Sequence, residues 1–167
     1  SGEAQAADEF SRTEGGFSRF NFDVNHVSKL SKVTQFYVFA HGQLANRNLD
    51  SSEQFYLGGA DAVRAYPQGE AGGDSGYQAT AELRYQTPVK GMSMTLFADV
   101  GEVLARKDGD TSDPHRRLAG WGIGAVYSLD RSLYARLDYA RKIKGESYRS
   151  EAEDKNGRLW FRLYKLF

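Results

Sequence analysis

The chain has no cysteine, three prolines, no net charge and no long apolar run. Without cysteine there is no disulfide framework and no thiolate metal site, which suits an oxidising compartment outside the cytoplasm. Lys and Arg total 22, and Asp and Glu total 22. That balance removes any general attraction to nucleic acid or anionic lipid. No stretch of about 18 apolar residues occurs, so no transmembrane helix is expected. No signal peptide opens the chain. The opening SGEAQAADEF reads as the middle of a loop, and the chain is expected to be a piece of something larger. His26, His41 and His115 lie far apart without ligand-like spacing, which argues against a metal site. No Ser/His/Asp set or phosphate loop is present. An enzyme is not expected, and no cofactor is implied.

What the chain does have is β-structure. There are 18 glycines, 10 tyrosines and 10 phenylalanines, a composition that leans towards strands. Alternation recurs along it. Tyr77, Ala79, Ala81, Leu83 and Tyr85 share one face, against Gln78, Thr80, Glu82, Arg84 and Gln86. Met94, Leu96, Ala98 and Val100 oppose Thr95, Phe97, Asp99 and Gly101. Trp121, Ile123 and Ala125 oppose Gly120, Gly122 and Gly124. Leu133, Ala135, Leu137 and Tyr139 oppose Arg136 and Asp138. Upstream, Phe20, Phe22 and Val24 oppose Asn21 and Asp23. Phe36, Val38 and Ala40 oppose Gln35 and His41, with Tyr37 and Phe39 on the polar side. A last strand runs from about Gly157 to Phe167. The pattern predicts seven strands of roughly 10–14 residues, where a tilted transmembrane strand needs ~9–11. Strands of a soluble sandwich also alternate but average only about 5–6 residues.

The connections decide between the two. Residues 30–33, 87–91 and 129–131 are short, and 48–75, 106–116 and 144–156 are long. Strict alternation of short periplasmic turns with long extracellular loops marks an outer-membrane barrel. Tyr85, Tyr127, Tyr134 and Tyr164 fall near the short-turn side, as an aromatic girdle would. The chain ends LWFRLYKLF, and Phe161, Leu163 and Phe167 fit the C-terminal insertion signal of such barrels. Lys165 departs from it, in a place where a lysine can snorkel to water. Bacterial barrels hold even strand counts from about 8 upward, and an open sheet edge is not viable in lipid. The expected fold is therefore all-β: an antiparallel transmembrane β-barrel, of which this chain supplies the C-terminal half.

One connection stands apart. Residues 57–77 read LGGADAVRAYPQGEAGGDSGY. The run is too long for a hairpin turn and too patterned for a linker. It lacks the G-K-[ST] ending of a P-loop. It reads as an ordered loop that places Arg64.

With its neighbours, this loop resembles the outer-membrane transporters of two-partner secretion, the hemolysin secretion/activation family of TpsB type. The family shares a superfamily with the barrel-assembly insertases. The matching residues are Gly42-Gln43, Leu57-Gly58-Gly59, Val63-Arg64-Ala65-Tyr66-Pro67, Gly73-Asp74 with Gly76, and Leu83-Arg84-Tyr85. The F-x-D-x-G strand follows with Phe97, Asp99 and Gly101, then Gly120, Gly122 and Gly124, and finally Phe167. Ala65 stands where the superfamily usually has glycine. The resemblance implies a barrel of about 16 strands, a plug helix and two POTRA domains, with the last seven strands present here. It implies that the loop folds back from outside into the lumen, where Arg64 contacts Asp99. Parity agrees, since Asp99 lies on the polar side. Gly120, Gly122 and Gly124 would leave a groove for the loop tip. Glu82, Arg84, Arg136 and Asp138 are expected to form a hydrated, charge-balanced wall, the alternative being a polar track for a sliding unfolded polypeptide, and Glu70 and Asp74 have no assigned role.

The implied function is a translocase exporting a large secreted partner of hemolysin or adhesin type, driven by folding of that partner outside. Outer-membrane lipid, the barrel-assembly machinery, and the remaining strands and POTRA domains of the full-length protein are the other implied partners. The implied location is the bacterial outer membrane, with the C-terminus periplasmic and the long loops extracellular or re-entrant. Two alternatives are an insertase of the same superfamily and a passive porin.

Overall fold

The computed structural model describes residues 16–104, 115–130, 132–143 and 150–166. Seven long strands form one antiparallel sheet in which each neighbours the next along the chain. They are β1 (Arg19–Lys29), β2 (Thr34–Ala45), β5 (Ser75–Gln86), β6 (Met92–Leu104), β7 (His115–Ser128), β8 (Leu133–Lys142) and β9 (Gly157–Lys165). Two short strands, β3 (Phe55–Leu57) and β4 (Ala71–Gly73), pair with each other inside the connection between β2 and β5. The seven-strand expectation holds for the main sheet. The long connection carries a ribbon of its own that periodicity did not predict, because three residues are too few to show a period.

Local chemistry closes the short turns. Ser31 Oγ accepts from the Thr34 amide at 3.0 Å, and Leu30 N donates to Thr34 O at 3.0 Å. Gly91 adopts φ 79°, a conformation that admits glycine readily. Asp130 accepts from the amides of Ser132 and Leu133. Those bonds, Ser132 first, hold its carboxyl below the usual carboxylate range.

Register sorts the side chains onto two faces with opposite character. Leu83 sits across from Phe36 and Leu96, Leu96 across from Ile123, and Leu137 across from Phe161. These residues are exposed. The other face is polar, yet it is the buried one. The apolar core consists of Phe55, Leu57, Val63, Ala65, Tyr66 and Ala71 from the β2–β5 connection, packed on Phe97, Val103, Leu118 and Ala140 of the sheet. A water-soluble sheet would bury its apolar face. This one leaves that face bare, as a lipid-facing wall does.

The tyrosine girdle needs correction. Tyr85 and Tyr127 share the bare face, opposite Met94 and Met92. Tyr134 and Tyr164 have the parity of Arg136 and Arg162 and stack on each other, with centroids 4.7 Å apart. They belong to the polar face, because each lies two residues from an inward arginine. Phe167 lies outside the described residues. Phe161 and Leu163 lie on the bare face, 66% and 60% exposed. Lys165 reaches the β7–β8 turn, where Nζ meets Ser132 Oγ at 3.0 Å.

Candidate functional site

The connection leaves β2, crosses the polar face and returns to β5. Its base is clamped by Gln43, whose Nε2 donates to Glu53 O at 2.9 Å and Asp74 O at 3.1 Å. Asp74 is fully buried and accepts from Leu49 N at 3.0 Å and Gln54 Nε2 at 3.1 Å. Asp74 is thus the bracket that joins the outgoing and returning limbs. Gly58 and Gly59 have φ of 88° and 110° and turn the chain towards its tip. A Cβ on Gly58 would meet Pro67 O at 2.2 Å, so glycine is needed there for space as well as conformation. Gly59 N donates to Tyr66 O at 3.1 Å and closes the tip.

The tip delivers Arg64 into a pocket of charge. Its Nε donates to Asp99 Oδ2 at 2.9 Å and its Nη2 to Asp99 Oδ1 at 2.7 Å. This is a two-pronged guanidinium–carboxylate pair, the geometry for which arginine is pre-shaped. The Arg64 amide also donates to Asp99 Oδ2 at 3.2 Å, and Thr80 Oγ1 donates to Asp99 Oδ1 at 2.9 Å. Arg64 Nη1 donates to Glu82 Oε1 at 2.9 Å and lies 3.8 Å from Asp138 Oδ1. Beneath it, the guanidinium carbon sits 3.4 Å from the centre of the Phe97 ring, a close cation–π contact. Arg64 is 3% exposed and Asp99 1%, so water screens the pair very little.

The expected contact between Arg64 and Asp99 is present, but Glu82 and Asp138 are not a hydrated wall. Glu82 is 3% exposed and Asp138 fully buried. Glu82 also accepts from Arg84 at 2.8 Å and Arg136 at 3.0 Å, and Asp138 from Arg136 at 2.7 Å and Arg162 at 2.9 Å. Buried carboxylates persist only when paired, and here three of them share four arginines. The physical reason for the difference is the loop. It covers these positions, which strand parity alone leaves open to water.

The glycine column on β7 is also more specific than a groove for the tip. Only Gly120 faces the tip, where an added Cβ would lie 2.6 Å from the Ala65 Cβ. At Gly122 the space is taken by the Phe97 ring, 2.5 Å from such a Cβ, and at Gly124 by Asp138 Oδ1, 2.2 Å away. The glycines form a trough into which side chains of β6 and β8 lean to meet Arg64. Gly101 leaves room for Leu57, and Gly76 for Phe55. Gly73, in β4, packs against the Leu104 backbone. Val63, Ala65 and Tyr66 are fully buried, and Pro67 is buried too.

Sequence reasoning missed several partners. Glu70 is held by Arg116, which donates to its carbonyl at 2.7 Å and its carboxylate at 3.0 Å, and by Ser150. Trp160 Nε1 donates to Arg64 O at 2.7 Å. Arg162 contacts Asp61. A one-sided polar cleft of about 170 Å³ remains beside the tip, lined by Tyr37, Phe39, Asp61, Arg84, Arg136 and Arg162. Arg116 falls within the 106–116 connection as read from the sequence, whereas it belongs to β7 (His115–Ser128). For Trp160 the one available signal is its alternation with Phe161 and Leu163 on the last strand.

An antiparallel sheet with a bare apolar face, and a long loop folded over its polar face, defines a segment of a transmembrane β-barrel. The haemolysin secretion/activation protein family, ShlB/FhaC/HecB, matches residues 2–127, and the chain belongs to this family of two-partner secretion transporters of the outer membrane. The heme/hemopexin transporter protein HuxB of Haemophilus influenzae is 33% identical over 88 residues, which cover 51% of this chain and 16% of that protein. HuxB of strain 86-028NP matches to the same extent. CdiB from Acinetobacter baumannii has the same fold, with a TM-score of 0.68 and 21% identity over 89% of this chain and 27% of that one. The match thus spans about a sixth of the length of the curated relatives.

Proposed function

We propose that this chain is the C-terminal barrel portion of a transporter that exports a large partner protein by two-partner secretion. On this reading residues 1–167 complete a larger barrel with strands from the rest of the protein, and the polar face lines the lumen. The bare face meets lipid. The 48–75 loop enters from the extracellular side, and the short turns and the C-terminus face the periplasm.

The observation that carries the proposal is the burial of Arg64 in a two-pronged pair with Asp99, on a loop laid over the polar face. A general diffusion pore needs no such expenditure of buried charge. A translocase needs an inward element with a defined resting place, from which it can yield to a passing chain. HuxB, named as a transporter of heme/hemopexin, supports a cargo-carrying role. No nucleotide is required: a partner that folds outside cannot slide back.

The test is secretion by the full-length protein. With Arg64→Ala or Asp99→Ala, the partner's level in the medium falls at least about tenfold, because the remaining member of the buried pair is left uncompensated and the loop loses its resting place. Undiminished secretion by both variants, present at normal levels in the membrane, overturns the reading.

A further inference from the structure

The loop begins at β2 and ends at β5, adjacent strands of the sheet. Its tip nevertheless reaches β9, four strands beyond β5 at the sheet's edge. Two side chains of β9 grip it. Trp160 Nε1 donates to the backbone carbonyl of Arg64 at 2.7 Å. Arg162 pairs with Asp61, three residues before Arg64. Trp160 and Arg162 are two residues apart and share the inward face of β9. Arg162 also donates to Asp138 at 2.9 Å, and Asp138 Oδ1 lies 3.8 Å from Arg64 Nη1. Tip, β8 and β9 therefore form a closed ring of contacts, separate from the pair with Asp99 on β6.

We propose that Trp160 and Arg162 are positioning residues that form a second lock on the loop, so that its docked position depends on where β9 lies. The proposal rests on the transport reading only where secretion is the readout. The indole N–H has no acceptor role and serves solely as a donor. It satisfies a carbonyl at the centre of a buried tip, one that would otherwise be shielded from water without a partner. β9 meets the loop directly through these two side chains and indirectly through Asp138 of β8. A lock on this strand transmits its displacement to the loop, and the reverse.

The experiment measures loop exposure directly. Val63 is fully buried in the tip. Val63→Cys is placed in the full-length protein, freed of any other cysteine, and labelled in membranes with an impermeant maleimide. Each variant is first shown to be folded by its heat-modifiable migration. Trp160→Phe keeps the ring and removes the donor, and it raises the labelling rate about fivefold, the usual worth of one hydrogen bond. Asp61→Asn raises it further when combined. Phe161→Ala, on the outward face of the same strand, leaves the rate unchanged. If Trp160→Phe and Asp61→Asn label at the parent rate while Arg64→Ala labels faster, the second lock is overturned. Equal acceleration by Phe161→Ala also overturns it, since loosening β9 generally would then suffice. If Arg64→Ala raises labelling yet leaves secretion intact, the transport reading fails and the lock stands on the labelling.

Discussion

The two faces of this sheet are built from the same strands and follow opposite rules. On the bare face Leu83, Leu96, Ile123, Leu137, Phe161 and Leu163 stand side by side, exposed. Each interacts mainly with whatever solvent surrounds the sheet, so their contributions are separable. On the covered face Arg64, Glu82, Asp99, Asp138 and Arg136 touch one another. There each group's burial is tolerable only because its neighbours are present. One face is a sum of independent terms set by the medium, and the other is a network that stands or falls together.

Four perturbations test that contrast, from the largest effect down. Arg64→Ala leaves Asp99 and Glu82 buried without their shared cation. It should lower unfolding stability in lipid vesicles by about 3–5 kcal/mol, read from urea midpoints. Second comes a charge on the opposite face. Leu137→Arg at mid-strand should cost about 2–4 kcal/mol in a bilayer, and much less in a detergent that lets water reach the site. An equal cost in both media would show that the bare face does not meet lipid. Third, Gly122→Ala drives a methyl to within 2.5 Å of the Phe97 ring and 2.2 Å of Tyr139 O. Overpacking of this kind costs about 1–3 kcal/mol, and it should also speed labelling in the loop, because Phe97 supports Arg64. Last is Lys165→Leu, which restores an apolar residue on the bare face. Lys165 Nζ lies 4.0 Å from Asp130 Oδ2, and both are well exposed. Such a contact contributes ~1 kcal/mol or less, so the midpoint should barely move.

Much of the architecture was legible beforehand. Strand number, length and facing follow from period-two alternation, and the inward parity of Asp99 from its place two residues after Phe97. The arginine in a Gly-rich run was legible as a placed residue, and the family resemblance named its partner. The role of Asp74 was not, since a bracket between Leu49, Gln54 and the β4–β5 corner exists only once both limbs of the connection meet. Nor was the division of labour along Gly120, Gly122 and Gly124. Three glycines of one parity look alike in sequence, yet one faces Ala65, one a phenyl ring and one a carboxylate.

The amino-acid order by itself determined which residues face which way, because side-chain direction in a strand depends only on counting by two. It also determined that one loop carries the arginine. Only the tertiary structure decided that the polar face is the buried one, and that Glu82 and Asp138 join Asp99 around Arg64. Arg64 and Trp160 are separated by 96 residues. Contacts of that separation are written in no local pattern; they arise when the loop is laid across strands whose order and register the whole sheet sets.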